Sequence, residues 1–404
     1  MKVLVADKLE QSALDGLKAI GCEVVQDADL NGDSLRDAIE REKPAVLVVR
    51  STKVEADAMG AADALTLVIR AGAGVNTIDI AAASERGVYV ANCPGKNSIA
   101  VAELAFGLML AVDRSIADCA VDLRNGKWNK KAYSKGRGLY GLTLGLIGMG
   151  NIAQEMIPRA KAFGMNVIAY SRWMQPEAAA ALGIARAESL EDLVSQSDVV
   201  SVHTALNPST KGMISAELIG KMRPGAIFVN TSRSEVVDQA ALLEACQAGR
   251  IRAGLDVFDG EPAAAEAEYS GPMTDAKGVV CTHHIGASTE QAQEAVAAEV
   301  VRIVADYKST GIVHNVVNVT KGAVATHLLV VRHQDKVGVL SHVLGVLRDE
   351  GVNVQEMENI ILGGAQSAIA QIALDKVVSA SGLLAVKTHP AIFDASIFDL
   401  PSNG

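Results

Sequence analysis

Aromatic residues make up only 3% of this 404-residue chain, so its interior cannot be built around stacked rings. Ala, Val, Leu and Ile must fill it, as they fill helix-covered parallel sheets. Cysteine is also scarce. Cys22, Cys93, Cys119, Cys246 and Cys281 lie far apart, with no Cys-x-x-Cys pair and no nearby His spacing that would hold zinc; reduced thiols and no metal are expected. A cationic excess is missing: 37 Lys and Arg face 47 Asp and Glu, a net charge of -10. That balance argues against a nucleic-acid or membrane-surface partner and for a small molecule. Long apolar runs are missing too. The first seven residues are apolar over too short a stretch for a signal peptide, and no stretch approaches a membrane-spanning length, so a cytoplasmic location is expected.

What is present is alternation. Short β-branched runs at 3–6, 24–25, 45–49 and 67–69 are separated by helical patterns, one through Leu14 and Leu17 and another from Ser34. A long helical stretch follows Asn97, with Val101, Leu104, Leu108 and Val112 on one face. A second series begins at Thr143, with strands expected at 144–147, 167–170, 199–202, 226–229, 253–257 and 279–281. Alternating strands and helices imply parallel βαβ units, and six such strands imply a Rossmann-type sheet. Pro158 falls inside an expected helix, where it removes a hydrogen bond at a cost of about 3 kcal/mol or a kink. Beyond a short Val, Asn, Thr, Lys and Gly segment, residues 326–404 read βαββαβ.

The turn after the strand at 144–147 carries Gly148-x-Gly150-x-x-Ala153, with Asn151 and Ile152 opening a helix. The first glycine allows a tight turn, the second lets backbone amides approach a pyrophosphate, and Ala153 permits close helix packing. This is a dinucleotide site. At the end of the next strand, where an acidic residue would hold a 2′-hydroxyl, the chain has Ser171 and Arg172. No carboxylate there repels a 2′-phosphate and Arg172 could attract one, so the cofactor is NAD(H) or NADP(H), with Arg172 otherwise a solvated surface residue.

Three further segments carry chemistry: Asn230-Thr231-Ser232-Arg233, Leu255-Asp256-Val257-Phe258 through Glu261-Pro262, and His283-His284-Ile285-Gly286-Ala287-Ser288-Thr289. In that order, after the glycine turn, they resemble the D-2-hydroxyacid dehydrogenase family over residues 1–315. The resemblance implies a catalytic trio of Arg233, Glu261 and His284, with His284 rather than His283 as the acid–base. Such a base suits oxidation of a secondary alcohol, because imidazole titrates near neutral pH. Glu261 would orient it and Arg233 would bind the substrate carboxylate. Asp256 and Gly286 are implied at the nicotinamide, and Gly74, Val75 and Asn97 at the substrate. Arg50 and Arg70 are similar to the two arginines of the family's phosphoglycerate branch, where two cations suit a dianionic phosphate. Residues 263–277 and the pair Ser234-Glu235 depart from the family pattern.

The implied architecture is α/β: two Rossmann-like domains, one flavodoxin-like for substrate (1–97 and 289–315) and one for NAD(P) (98–288), a linker (316–325), and an α+β tail (326–404) resembling the ACT family. The implied reaction is reversible oxidation of 3-phospho-D-glycerate to 3-phosphohydroxypyruvate in a homodimer or homotetramer. A hydroxypyruvate or glyoxylate reductase would share the same trio, and a non-enzymatic NAD(H)-sensing corepressor shares the same fold. In the tail, residues 333–340 run from strand through a glycine turn into a helix and resemble an effector loop for L-serine. His333, Asp335 and Asn353 are its implied contacts, with Asp335 standing where asparagine would better receive a carboxylate.

Overall fold

Val3 and Val5 face one side of the first strand and Leu4 and Ala6 the other, and all are buried. A strand of period two that is apolar on both faces needs a layer of helices on each side. The computed structural model, which describes residues 1–262, 266–320 and 325–401, has that arrangement. Five parallel strands lie in the order Glu23–Gln26, Lys2–Val5, Val46–Val49, Leu67–Arg70 and Tyr89–Asn92. Leu4, Leu47, Leu35 and Ile39 form the core on one face. On the other, Val3, Val5 and Leu17 meet Val300, Ile303 and Val304. The helix Glu290–Thr310, distant in sequence, thus covers the first sheet.

A second parallel sheet has seven strands, in the order Val279–Cys281, Arg252–Leu255, Ile227–Asn230, Val199–Val202, Thr143–Ile147, Asn166–Tyr170 and Ala185–Arg186. Sequence order reverses between Thr143–Ile147 and Val199–Val202. In such sheets that switch point opens a crevice for ligands at the carboxyl ends of the strands. Phe228 is fully buried in the core on one face, and its truncation to Ala should cost about 3–5 kcal/mol. Helix Ser98–Arg114 lies on the other face, contributing Ala105, Leu108 and Met109. It packs so closely that a Cβ on Gly254 would come 2.9 Å from Leu108 Cβ.

Several expectations need correction. Strand Tyr89–Asn92 was not anticipated, and the two-residue strand Ala185–Arg186 makes seven where six were expected. Residues 316–318, assigned to the linker, pair with the edge of the first sheet: Val317 N donates to Val90 O at 2.8 Å, and Val90 N to Asn318 Oδ1 at 2.9 Å. Residues 321–324 of that linker and 263–265 of the long stretch lie outside the described residues, as do 402–404. Helix Asn151–Ala162 continues through Pro158. Arg159 Nη1 donates to Glu155 O at 2.8 Å, a side-chain donor in the turn that the proline weakens.

The chain divides into two compact units, Met1–Asn318 and Val319–Gly404. In the second, antiparallel strands lie in the order Val354–Ile361, Ser367–Leu374, His327–Gln334 and Ile392–Asp399. Helices Val339–Asp349 and Ala380–Lys387 supply Val343, Leu347 and Val386 to its core, completing the βαββαβ order.

Candidate active site

The glycine turn sits at the switch point. Gly148 has φ +94°, and a Cβ there would lie 2.6 Å from the carbonyl oxygen of His203. Any side chain would therefore push the turn off the neighbouring strand, on top of the cost of a left-handed backbone. Gly150 is the N-cap of helix Asn151–Ala162 and has no atom within 4 Å of where its Cβ would be, so the helix N-terminus offers free amides to a phosphate. The residues fit a dinucleotide. Ile152 packs against the core below. Asn151 reaches to the first sheet's side, where a Cβ on Gly95 would come 2.7 Å from its Nδ2. Arg172 is exposed and donates to Ser209 Oγ at 3.1 Å; with Ser171 it flanks the end of strand Asn166–Tyr170.

His284 and Glu261 come together from loops 23 residues apart, with Nδ1 and Oε2 at 2.8 Å. Phe258 N donates to the other carboxylate oxygen of Glu261, also at 2.8 Å. Burial works against the Glu261 charge, but these two hydrogen bonds and the nearby Arg233 outweigh it and lower its pKa. An ionised carboxylate on Nδ1 fixes the tautomer that leaves Nε2 free to take a proton. His284 has φ +53°, and His283 beside it is exposed. The loop is held from below by Asp256, only 1% exposed. Its oxygens accept from Thr282 Oγ1 at 2.6 Å, Ile285 N at 2.9 Å and Gly286 N at 2.8 Å. Asp256 thus lies beneath the loop that carries His284 and fixes its backbone.

Opposite stand the arginines. Arg233 lies against the backbone of Gly74, where a Cβ would come 2.7 Å from its Nη2; Val75 follows in the same loop. Arg70 Nε donates to Arg50 O at 3.0 Å, and a Cβ on Gly72 would overlap its guanidinium. Burial, then the charges of Arg233 and Arg50, lower the Arg70 pKa against smaller raising contributions from Cys93 and Asp7. Arg50, Arg70 and His284 line a cavity with Asn97, and a second one with Arg233 and Glu261. Arg50, Arg70, Asn97, Arg233, Glu261 and His284 therefore line one cleft, with Gly74 and Val75 in the loop beside Arg233.

Residues not foreseen support the cleft. Asp7, at the end of the first strand, accepts from the amides of Arg50 (2.7 Å), Ser51 (3.1 Å) and Thr52 (3.0 Å) and from Ser51 Oγ (2.7 Å). Burial raises its pKa, yet these bonds lower it overall. His203 is buried at the switch point, and burial pushes its imidazole down to about 4. Its Nε2 lies 2.9 Å from Ser201 Oγ, while Nδ1 has no partner among the described residues. Among those residues no group of three or more His, Cys, Asp or Glu could hold a metal, and no helix is long and apolar enough to cross a membrane.

In the second unit, His333 is 1% exposed. Its Nδ1 donates to Gln334 O at 2.7 Å, and Nε2 lies 3.1 Å from Asn359 Oδ1. Asp335 N donates to Gln366 O. Asn353 is at the other end of the sheet, beside Asp375, because His333 and Ile361 both align with Ala368 while Val354 aligns with Leu374. One copy of this unit does not bring Asn353 to Asp335.

Comparison with known proteins agrees with this geometry. Residues 106–286 match the family model for the D-isomer specific 2-hydroxyacid dehydrogenase, NAD binding domain. The chain is 46% identical over 269 residues to a hydroxypyruvate reductase of Thermotoga maritima, covering 66% of this chain and 85% of that one. It is 41% identical over 320 residues to a D-3-phosphoglycerate dehydrogenase of Methanocaldococcus jannaschii, covering 79% of this chain but spanning only 59% of the relative's length. A solved NAD+-bound 3-phosphoglycerate dehydrogenase of Entamoeba histolytica superimposes with a TM-score of 0.65 at 27% identity, covering 80% of this chain and 99% of that one. The fold and site define a nicotinamide-nucleotide oxidoreductase class. Within it, the chain belongs to the D-isomer specific 2-hydroxyacid dehydrogenase family.

Proposed function

We propose that the chain oxidises 3-phospho-D-glycerate reversibly to 3-phosphohydroxypyruvate with NAD(H), the reaction that opens L-serine synthesis. The observation that carries this reading is the 2.8 Å His284–Glu261 pair sharing a cleft with Arg50, Arg70 and Arg233. His284 Nε2 takes the proton of the C2 hydroxyl and returns it in reduction; Glu261 holds the ring. Arg233 and the amides of the Gly74–Val75 loop bind the carboxylate and offset charge on the C2 oxygen. The Gly148–Ala153 turn would hold a nicotinamide dinucleotide, which would supply the hydride acceptor or donor for C2. Asp256 keeps the His284 loop in place.

In this reading residues 1–97 and 289–315 bind substrate and 98–288 the nucleotide. Ser171 and Arg172 let the site accept NADP(H) as well. The tail is an ACT-like domain whose L-serine site forms between two copies, since only a partner can bring Asn353 to Asp335. A cytoplasmic homodimer or homotetramer fits these assignments.

The test is a substrate panel with both nucleotides. A kcat/KM for 3-phosphohydroxypyruvate above that for hydroxypyruvate and glyoxylate is expected. A preference for hydroxypyruvate would move the chain to the reductases, the activity for which its Thermotoga relative is named. Nucleotide binding without turnover would favour a sensor.

A further inference from the structure

Two cavities meet at His284, and they differ in charge. The larger, about 520 Å³, has Arg50, Arg70 and Arg233 on its wall together with Glu235, Asp259 and Glu261, so three cations meet three carboxylates. The smaller, about 290 Å³, shares Arg50 and Arg70 but adds Lys8, Glu10, Asn97 and Gln293, so three cations meet one carboxylate. By charge the second wall has the larger cationic excess, which favours a doubly charged group there.

We propose that the smaller cavity receives the second anionic group of the substrate, with Lys8 as a specificity-determining residue and Gln293 as a positioning residue for Arg50. This rests on the dehydrogenase reading above. Lys8 follows Asp7, whose carboxylate binds the amides of Arg50, Ser51 and Thr52. One turn of chain therefore sets both the backbone of Arg50 and the root of the lysine. Gln293 Oε1 accepts from Arg50 Nη1 at 3.3 Å, and Arg70 Nε is bonded to Arg50 O. The two arginines are thus fixed relative to one another before a ligand arrives, which lowers the ordering cost of binding. Lys8 lines the same cavity from an exposed position, within reach of the distal end of a substrate whose C2 lies at His284.

Lys8→Met, Lys8→Arg and Gln293→Leu, made in the full chain, test this with 3-phosphohydroxypyruvate, hydroxypyruvate and inorganic phosphate. Lys8→Met should lower kcat/KM for the phosphorylated acid about tenfold, the scale of one charge-assisted hydrogen bond. The loss should enter through KM and be smaller for hydroxypyruvate. Lys8→Arg should restore most of the selectivity, and Gln293→Leu should move it in the same direction by less. Inorganic phosphate should compete with hydroxypyruvate in the wild type and more weakly in Lys8→Met. Equal losses on both acids, or phosphate inhibition unchanged in Lys8→Met, would overturn the pocket. A wild type that prefers hydroxypyruvate while phosphate inhibition still weakens in Lys8→Met would overturn the substrate reading and leave the anion pocket standing.

Discussion

The two parallel sheets of the first unit turn the same carboxyl edge to the cleft and use it differently. The five-stranded sheet ends in cations, Lys8, Arg50 and Arg70, with Arg50 held by Asp7 and Gln293 and Arg70 by the Arg50 carbonyl. The seven-stranded sheet ends in a glycine turn, a buried Asp256 and the hydrogen-bonded His284–Glu261 pair. In the proposed reaction the distal anion meets the first sheet, while the acid–base and Arg233 stand on the second. Lesions at Lys8, Arg50 or Asp7 should therefore appear in KM and those at His284 or Glu261 in kcat.

The largest break should come from His284→Asn, with kcat down about 10²–10⁴-fold because the acid–base is gone and nucleotide affinity, read by fluorescence titration, little changed. The His283→Asn protein should stay near wild type; the reverse order of severity would move the acid–base by one residue. Glu261→Gln keeps a hydrogen bond to Nδ1 but not the charge, and kcat should fall by about tenfold or more with an altered pH profile. An unchanged profile would mean the carboxylate only holds the loop. On the other side of the comparison, Asp7→Asn loses the charge that gathers three amides, and KM should rise several-fold with kcat nearly kept, on the scale of about 1 kcal/mol. The Asp7 pKa is lowered from 3.8, so its stabilising hold is complete above that value and fades as pH falls through the lower folded one. Acid unfolding of Asp7→Asn should be correspondingly less steep. The smallest effect belongs to the nucleotide: Ser171→Asp should shift preference towards NAD(H) by repelling a 2′-phosphate, measured as the ratio of kcat/KM values, and no change in that ratio would leave Arg172 a surface residue.

Much of this was legible because the motifs are local. Gly148 to Ala153 sits between a strand and a helix that its own sequence dictates, and the trio follows strand ends whose apolar runs are plain. Strands Tyr89–Asn92 and Ala185–Arg186 were hidden because a few residues show no reliable period. Asp7 and Gln293 were hidden for another reason. Their partners lie 43 and 243 residues away, and nothing near them in the chain says so. Asp256 stands out in the sequence, but its hold on the His284 loop does not, because Thr282, Ile285 and Gly286 reach it from 26 to 30 residues away.

The left-handed backbone at His284, φ +53°, carries a consequence for any variant made there. Non-glycine residues hold such a conformation against an energetic preference of roughly 1 kcal/mol or more, with Asn, Asp and His bearing it best. Glycine at 284 would remove that penalty together with the imidazole. It would also lose the hydrogen bond to Glu261, so relief of strain and loss of that bond oppose one another at a single α-carbon. An alanine there would keep the strain and lose the ring's hydrogen bond to Glu261, so its instability and its inactivity would be confounded. Asparagine is the cleaner control.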